Sequence, residues 1–260
     1  MNKEYVCDFA KKLLQIDSPT GYTKKAIAYV EEEAKRLGYE TKRNNKGNLW
    51  IYVNGKSKEK TIGLCAHCDT LGLMVRSIKS DGKLALTNLG GPIIPTLDGE
   101  YCRIYTRDGN VYTGTILSTS PATHVYKDAS TKVRDIDNIE VRIDEVVYAK
   151  EDTEKLGIQN GDIVAIDPKV QITESGFIKS RFLDDKISAS ALMGVLYELK
   201  QKNITPSFNL IFMMSTYEEV GHGMAHIPSE ISELLAVDMG CIGLDLACTE
   251  QQVSICAKDS

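Results

Sequence analysis

Residues 207–223 read SFNLIFMMSTYEEVGHG, an apolar run of strand length that ends abruptly in two adjacent carboxylates. The run at 209–214 is too short to cross a membrane, and its side chains are branched, aromatic or sulphur-containing. Such runs are typical of a strand buried on both faces of a parallel sheet. Ligands of open α/β sheets bind just outside the carboxyl ends of the strands. The position of Glu218 and Glu219 therefore predicts a functional site directly after this strand.

Adjacent residues of an extended segment point to opposite sides, so we expect Glu218 and Glu219 to have different roles. One can hold a metal ion while the other faces a bound water. Taken alone, such a pair is more often the exposed start of a loop, because charged residues are mostly exposed. The functional interpretation therefore depends on which other residues join them.

Three further segments end or begin in residues of the same chemical type. The apolar run 61–66 is followed by His67 and Asp69, and the run 231–237 is followed by Asp238. Asp184 precedes Asp185 at the start of an amphipathic helix that extends to about residue 200. Parallel strands would bring these ends together at one edge of the sheet. One imidazole and several carboxylates predict a site for zinc, cobalt or manganese, with a shared carboxylate able to hold two ions about 3.5–4 Å apart.

Each of these residues also has a structural alternative. His67 and Asp69 share a face of an extended segment, which suits a metal ligand and its orienting partner, but also a histidine satisfied by hydrogen bonds. The pair Asp184 and Asp185 could simply cap a helix. Cys65 and Cys68 spell C-x-x-C, yet neither a helix start nor a second cysteine pair accompanies them. The coincidence of all the acids at strand ends favours the metal site.

The rest of the chain predicts an α/β fold with a mostly parallel sheet flanked by helices, interrupted by a β-rich, barrel-like insertion. Apolar residues recur at helical spacing in 5–14 and 27–37. Residues 71–166 instead form short β-type runs, including one at 146–149, and the Asp-Gly pairs at 81–82 and 108–109 are flanked by alternating apolar residues, as in hairpins. We therefore assign 1–70 and 167–260 to one discontinuous domain and 71–166 to the insertion.

Composition excludes several classes of protein. The 260 residues are 42% apolar, enough for a full core, and the net charge of −5 with scattered basic residues argues against nucleic-acid binding. The N-terminus lacks the apolar region of a signal peptide, and no run is long enough to span a membrane. We therefore expect a cytoplasmic protein without a membrane partner. Seven thinly spread cysteines suit reduced thiols rather than disulfides.

Five stretches resemble the tetrahedral aminopeptidases, cytosolic metallopeptidases with two cooperating ions that include glutamyl aminopeptidases and some members named as cellulases or endoglucanases. These stretches are AHCDTLGLMV, NLGGPIIP, SRFLDDKISASALM, STYEEVGHG and LLAVDMG, in the family's order. The resemblance implies removal of N-terminal residues from short peptides. It also implies that the insertion mediates dimerisation, and that dimers assemble into twelve-subunit shells.

The resemblance also implies a role for each site residue. His67 and Asp238 would ligate one ion, Asp184 would bridge both ions, and Glu219 would ligate the second. Glu218 would be the general base, and Asp69 would hold His67. The family completes its second ion with a histidine downstream of the Asp238 motif, whereas this sequence stops at Ser260. His222 and His226 lie too close behind Glu219 to replace it. We therefore expect either a fragment with a C-terminally incomplete catalytic domain or a protein with a weakened second ion site.

Three other functions share some of these features. A glycosidase could use two carboxylates, but the single Trp offers little of the aromatic platform that sugar enzymes display. A different metal-dependent amidase or deacylase would use the same ligands. A chain with an incomplete second site could also be a metal-binding protein without catalytic activity.

Overall fold

The computed structural model describes residues 1–256, which form four helices and thirteen strands. The helices are α1 (Lys3–Gln15), α2 (Lys24–Arg36), α3 (Lys150–Lys155) and α4 (Leu183–Gln201). The strands are β1 (Glu40–Arg43), β2 (Leu49–Val53), β3 (Ser57–His67), β4 (Gly72–Ile78), β5 (Leu84–Leu89), β6 (Tyr101–Tyr105), β7 (Val111–Ser118), β8 (Ile139–Ile143), β9 (Ile163–Ile166), β10 (Gln171–Ile172), β11 (Ile178–Lys179), β12 (Phe208–Ser215) and β13 (Ile231–Ala236).

The main sheet has the strand order β1-β2-β12-β3-β13. The strands β12 and β13 both run parallel to β3, which lies between them, whereas β1 and β2 add an antiparallel edge. Three parallel strands therefore end side by side. The predicted α/β class is confirmed, and the parallel part of the sheet is the part that carries the site.

Strand β12 is buried on both faces, as its unbroken apolar sequence predicts. Phe212 and Met214 pack with the apolar faces of α1, α2 and α4 in the larger core of this sheet. Ile211 and Met213 point the other way and pack beside Trp50 and Cys65. Successive strand residues alternate between faces, so both faces must be apolar when both are covered.

The six strands β4 to β9 close into a barrel in the order β4-β5-β8-β7-β6-β9. Its interior is filled by Leu, Ile and Val side chains, among them Leu73, Leu86, Ile104 and Val141. The expected strand at 146–149 is wrong: residues 146–147 are irregular, residues 148–149 form bends, and Val146 and Tyr148 are 79% and 83% exposed. Their residue types are typical of strands, but within residues 1–256 they have no partner strand with which to pair. The division into two domains at residues 70 and 167 stays a prediction.

Two predictions about the chain as a whole bear on its chemistry. Within residues 1–256, every helix is too short or too polar to cross a bilayer. All seven cysteines lie in this described part and are free, in agreement with the prediction of reduced thiols. Burial raises the pKa of Cys65 to about 11 and that of Cys68 to about 12, so neither thiol is a thiolate nucleophile at neutral pH.

Candidate active site

The carboxyl ends of β3, β12 and β13 meet at one edge of the main sheet. Ser215 pairs with His67, and Ala236 pairs with Cys65 two residues earlier on β3. The register continues beyond the strands, since the Cys68 N–H donates to the Ser215 carbonyl at 3.0 Å. The strand ends therefore converge as the sequence predicts, and the residues that follow them share one cleft.

The imidazole of His67 lies at the floor of this cleft and is only 2% exposed. Its Nδ1 is 2.9 Å from the carbonyl oxygen of Asp69. A carbonyl can only accept a hydrogen bond, so Nδ1 carries the proton and donates it. The other ring nitrogen, Nε2, is therefore oriented into the cleft by a backbone contact two residues along the same segment.

Three carboxylates surround the Nε2 atom of His67. It lies 3.0 Å from Asp184 Oδ1, 3.5 Å from Glu218 Oε2 and 4.0 Å from Asp238 Oδ2. Ligand atoms of His67, Asp184 and Asp238 all lie within 4.8 Å of one another. A neutral imidazole would present a lone pair to anionic oxygens, so this arrangement requires either a proton on Nε2 or a cation between them. The residues present thus fit a divalent metal ion.

The charges around His67 explain its proton affinity. Burial by itself would lower the pKa of this histidine, but the hydrogen-bonded carboxylates of Asp184 and Asp69 raise the pKa to about 11. The cleft therefore holds an excess of negative charge that a proton offsets in the absence of metal. A bound cation would take the place of that proton.

Asp69 is fully buried and binds three donors with its carboxylate. Oδ1 accepts from the Glu218 N–H at 3.2 Å, and Oδ2 accepts from the Glu219 N–H at 3.3 Å and from the Thr20 hydroxyl at 2.8 Å. The carboxylate itself is 3.5 Å from His67 Nδ1. Asp69 thus orients His67 mainly through its carbonyl, whereas its carboxylate holds the segment that carries both glutamates.

Residues Glu218–Val220 form a single 3-10 turn, so the expectation that the two glutamates lie in an extended segment is wrong. The chain turns because two consecutive N–H groups converge on the Asp69 carboxylate, and Gly221 ends the turn with φ +73°. Thr216 lies just before the turn and its hydroxyl donates to the Asn48 side chain at 2.7 Å. The glutamates still have different surroundings, but the turn produces the difference.

Glu218 faces His67 at the rim, where its side chain is 45% exposed. Burial raises the pKa of this carboxyl, and the carboxylates of Asp238, Asp69 and Asp184 add to the effect against the opposing charge of His67. For Glu219, burial and the same kind of neighbours raise the pKa to about 7. Glu219 lies outside the group of ligand atoms formed by His67, Asp184 and Asp238 within the described residues.

The two aspartates at the start of α4 have separate contacts. Asp184 is 57% exposed on the cleft side and approaches His67, whereas Asp185 is buried and accepts the His67 backbone N–H at 3.0 Å. Neither has helical backbone angles, so simple helix capping does not describe them. Burial raises the pKa of Asp185 to about 7. The contact between Asp185 and His67 joins residues 118 positions apart, so no local pattern in the sequence predicts it.

The segment 88–95, NLGGPIIP, brings the barrel into contact with the turn Glu218–Val220, which we call the glutamate turn. A Cβ atom on Gly90 would lie 2.5 Å from a methyl carbon of Leu71 and 3.1 Å from the carbonyl oxygen of Glu219. The backbone of Gly90 also has φ +72°. Both the close approach and the left-handed backbone require glycine here. The barrel therefore forms one wall of the cleft beside Glu219.

The histidines of the following loop do not reach the cluster. His222 and His226 lie in the irregular segment between the glutamate turn and β13, and both are exposed. The ring of His226 lies 5.5 Å from that of Trp50. Trp50 belongs to the smaller apolar cluster, on the face of the main sheet opposite the helices. Their assignment as loop residues is confirmed.

A model of the family described as M42 glutamyl aminopeptidase matches residues 47–260. The chain is 46% identical over 254 residues to YhfE of Bacillus subtilis (strain 168), a protein provisionally named an aminopeptidase; the match covers 97% of this chain and 73% of YhfE.

Solved structures agree with the sequence match. The aminopeptidase APDkam598 from the archaeon Desulfurococcus kamchatkensis has a TM-score of 0.82 at 25% identity, covering 96% of this chain and 67% of that one. The TET1 peptidase of Pyrococcus horikoshii, which can assemble into a tetrahedron or a large octahedral shell, has a TM-score of 0.74 at 24% identity, covering 90% of this chain and 68% of that one. The second likeness concerns the fold alone.

Proposed function

Because this chain belongs to the M42 glutamyl aminopeptidase family, we propose that it is a metal-dependent aminopeptidase that removes N-terminal residues from peptides. The observation that carries the proposal is the group formed by His67, Asp184 and Asp238, with Nε2 of the imidazole directed at carboxylate oxygens. An imidazole with carboxylates is a ligand set typical of zinc, cobalt or manganese in hydrolases.

His67, Asp184 and Asp238 would hold the ion, which would supply Lewis acidity toward a carbonyl oxygen and acidify water in the cleft. Glu218 lies at the rim, 3.5 Å from His67 Nε2, and the upward shift of its pKa by burial and neighbouring carboxylates suits a group that takes and returns a proton. Glu218 would accept the proton of the attacking water and deliver it to the departing amine. The turn contacts of Asp69 would hold Glu218 in place for both transfers.

A second ion would be held by Asp184 and Glu219. Asp184 is exposed enough to offer its other oxygen, and Glu219 is near enough to Asp184 for their charges to interact. Among residues 1–256, this second position has fewer protein ligands than the first, so its affinity would be lower. Titration of the metal-free protein with zinc or cobalt, followed by calorimetry, would resolve two binding steps if both ions are held.

The proposed activity is tested with aminoacyl p-nitroanilides of acidic, basic and apolar residues, in the presence of zinc, cobalt or manganese. We expect release of p-nitroaniline that depends on the added ion and stops when a chelator removes it. A substrate blocked at its N-terminus should not react, because an aminopeptidase requires the free amine. Hydrolysis of the blocked substrate at a similar rate would instead indicate a different metal-dependent amidase.

Metal affinity should rise with pH. The neighbouring carboxylates keep His67 protonated in the metal-free protein, because they raise its pKa to about 11. A metal ion must displace that proton, so the association constant should increase about tenfold per pH unit for each proton released. Calorimetry between pH 6 and 8 in buffers of different ionisation enthalpy measures both quantities. An association constant that does not change over this range would contradict the assignment of His67 as a ligand.

The assembly and location of the protein are further parts of the proposal. Exposed apolar side chains lie on the barrel and its connecting segments, including Val125, Val133, Val146 and Tyr148. They support the expected role of the insertion as a dimerisation surface, with a shell like that of the Pyrococcus peptidase as the larger assembly. A cytoplasmic location agrees with free cysteines. Sedimentation velocity of the purified protein measures the assembly, and a monomer at all concentrations would contradict it.

A further inference from the structure

A short segment of the chain, residues 16–20, lies directly behind the loop that follows β3. We call it the strap. Its backbone pairs with that loop, since the Thr70 N–H donates to the Ser18 carbonyl at 2.9 Å and the Thr20 N–H donates to the Thr70 carbonyl at 3.1 Å. Ser18 and Thr20 are buried, with 1% and 5% of their surface exposed. The strap is therefore part of the interior of the protein, although its sequence reads as a turn.

Three side chains from two elements, the helix α4 and the barrel strand β6, hold the strap. The buried Lys186 donates from Nζ to the Ile16 carbonyl at 2.6 Å. Asp17 receives the guanidinium of Arg103, with 2.7 Å to Nη2, and the Tyr105 hydroxyl at 2.6 Å, both from strand β6 of the barrel. The strap is thereby fixed to the helix that carries Asp184 and to the barrel, so its position relative to the cleft has little freedom.

Thr20 is the strap residue that reaches a site carboxylate. Its hydroxyl donates to Asp69 Oδ2 at 2.8 Å, which is shorter than the contacts from the N–H groups of Glu218 and Glu219 at 3.2 and 3.3 Å. Those two donors belong to the turn that Asp69 holds, so they move with it. The Thr20 hydroxyl is an anchor that belongs to another part of the chain. It fixes the rotation of the Asp69 carboxylate about its last bond.

We propose that Thr20 is a positioning residue of the reaction, which sets the place of the Glu218 carboxylate by holding Asp69 against the glutamate turn. This inference rests on the proposed function of Glu218 as general base. The Thr20 hydroxyl contacts Asp69, which is not one of the proposed ligands of the first ion, His67, Asp184 and Asp238. Its effect should therefore appear in the turnover step and leave the first ion and substrate binding largely intact.

The test compares Thr20→Val, which keeps the shape and removes the donor, with Thr20→Ser, which keeps the donor. For Thr20→Val we expect kcat to fall about 10- to 100-fold, the range found when partners that orient active-site groups are removed. KM should stay within about threefold of the wild-type value, and the ion held by His67, Asp184 and Asp238 should remain bound. Thr20→Ser should restore most of the turnover, because its hydroxyl can make the same hydrogen bond to Asp69.

Thr153→Val is the matched control. Thr153 is also fully buried, and its hydroxyl donates to the Gly82 carbonyl at 2.6 Å in the barrel, away from the cleft. This variant loses an equally buried threonine hydrogen bond, so it measures the general effect of such a loss. We expect its kcat to match that of the wild type. Equal losses of kcat in the two valine variants would overturn the proposal, as would a Thr20→Ser variant no better than Thr20→Val.

Hydrogen exchange provides a readout that does not depend on activity. The amides of Glu218 and Glu219 donate to Asp69, so in Thr20→Val they should exchange about fivefold faster or more, whereas amides of β3 and β12 serve as internal references. If the wild type shows no peptidase activity, the proposed function fails, and exchange alone then decides the role of Thr20. Unchanged exchange at both amides would overturn it. If Thr20→Val does not fold, the smaller Thr20→Ala carries the same measurements.

Discussion

Glu218→Gln should lower kcat by about 10²- to 10⁴-fold while the protein keeps its metal, because the amide cannot accept and return a proton as the carboxylate does. The side chain keeps its size and its place at the rim, 3.5 Å from His67 Nε2 in the native protein. The ligand group of His67, Asp184 and Asp238 is unaltered by the substitution. Initial rates on an aminoacyl p-nitroanilide, together with elemental analysis of the same sample, measure the two effects.

The outcome separates a general base from a metal ligand. If Glu218→Gln loses metal and activity together, Glu218 is a ligand and its assigned role is wrong. Glu233→Gln is a suitable control, because Glu233 lies on the adjacent strand β13, is 58% exposed and forms a salt bridge with Lys60 at 2.7 Å. That variant makes the same chemical change in the same sheet. It should keep both the metal and the wild-type rate.

Asp69→Asn should reduce both activity and stability. The carboxylate accepts from the N–H groups of Glu218 and Glu219, one on each oxygen, and from the Thr20 hydroxyl. An asparagine offers one oxygen and places an NH₂ group against one of these donors in either orientation. We expect a loss of about 1–3 kcal/mol in the free energy of unfolding, since a buried donor is left without an acceptor. We also expect kcat/KM to fall about 10- to 100-fold as the glutamate turn loses its anchor.

Asp98→Asn separates these two effects. Asp98 lies beside the barrel, where one oxygen accepts the Ser118 N–H at 2.9 Å and the other accepts the Arg134 Nε at 3.0 Å. The same substitution therefore disturbs a similar pair of hydrogen bonds to a carboxylate, at a residue outside the group formed by His67, Asp184 and Asp238. Urea unfolding and steady-state kinetics of both variants give the comparison. If Asp69→Asn loses no more activity than Asp98→Asn, Asp69 has only a structural role.

Local patterns in the sequence predicted much of the fold. The apolar run of β12, the helical spacing in α1 and α2 and the turn-punctuated runs of the barrel all follow from short-range periodicity. The wrong expectations have a common origin. At 146–149, β-type residues lie exposed without a partner strand, and at Glu218–Val220 a carboxylate from another segment turns the chain. In both cases, contacts beyond the local sequence decided the conformation.

The sequence by itself determined which chemical groups lie at the carboxyl end of each strand: His67 as the last residue of β3, the glutamates after β12 and Asp238 after β13. Parallel strands align their carboxyl ends, so this order in the chain is sufficient to bring the groups to one edge. Only the tertiary structure decided how they are oriented. Hydrogen bonds of about 3 Å, several of them between distant segments, decide these orientations. They set the protonated nitrogen of His67, the separate surroundings of Asp184 and Asp185, and the contact of Thr20 with Asp69. Periodicity in a sequence contains no distances of that kind.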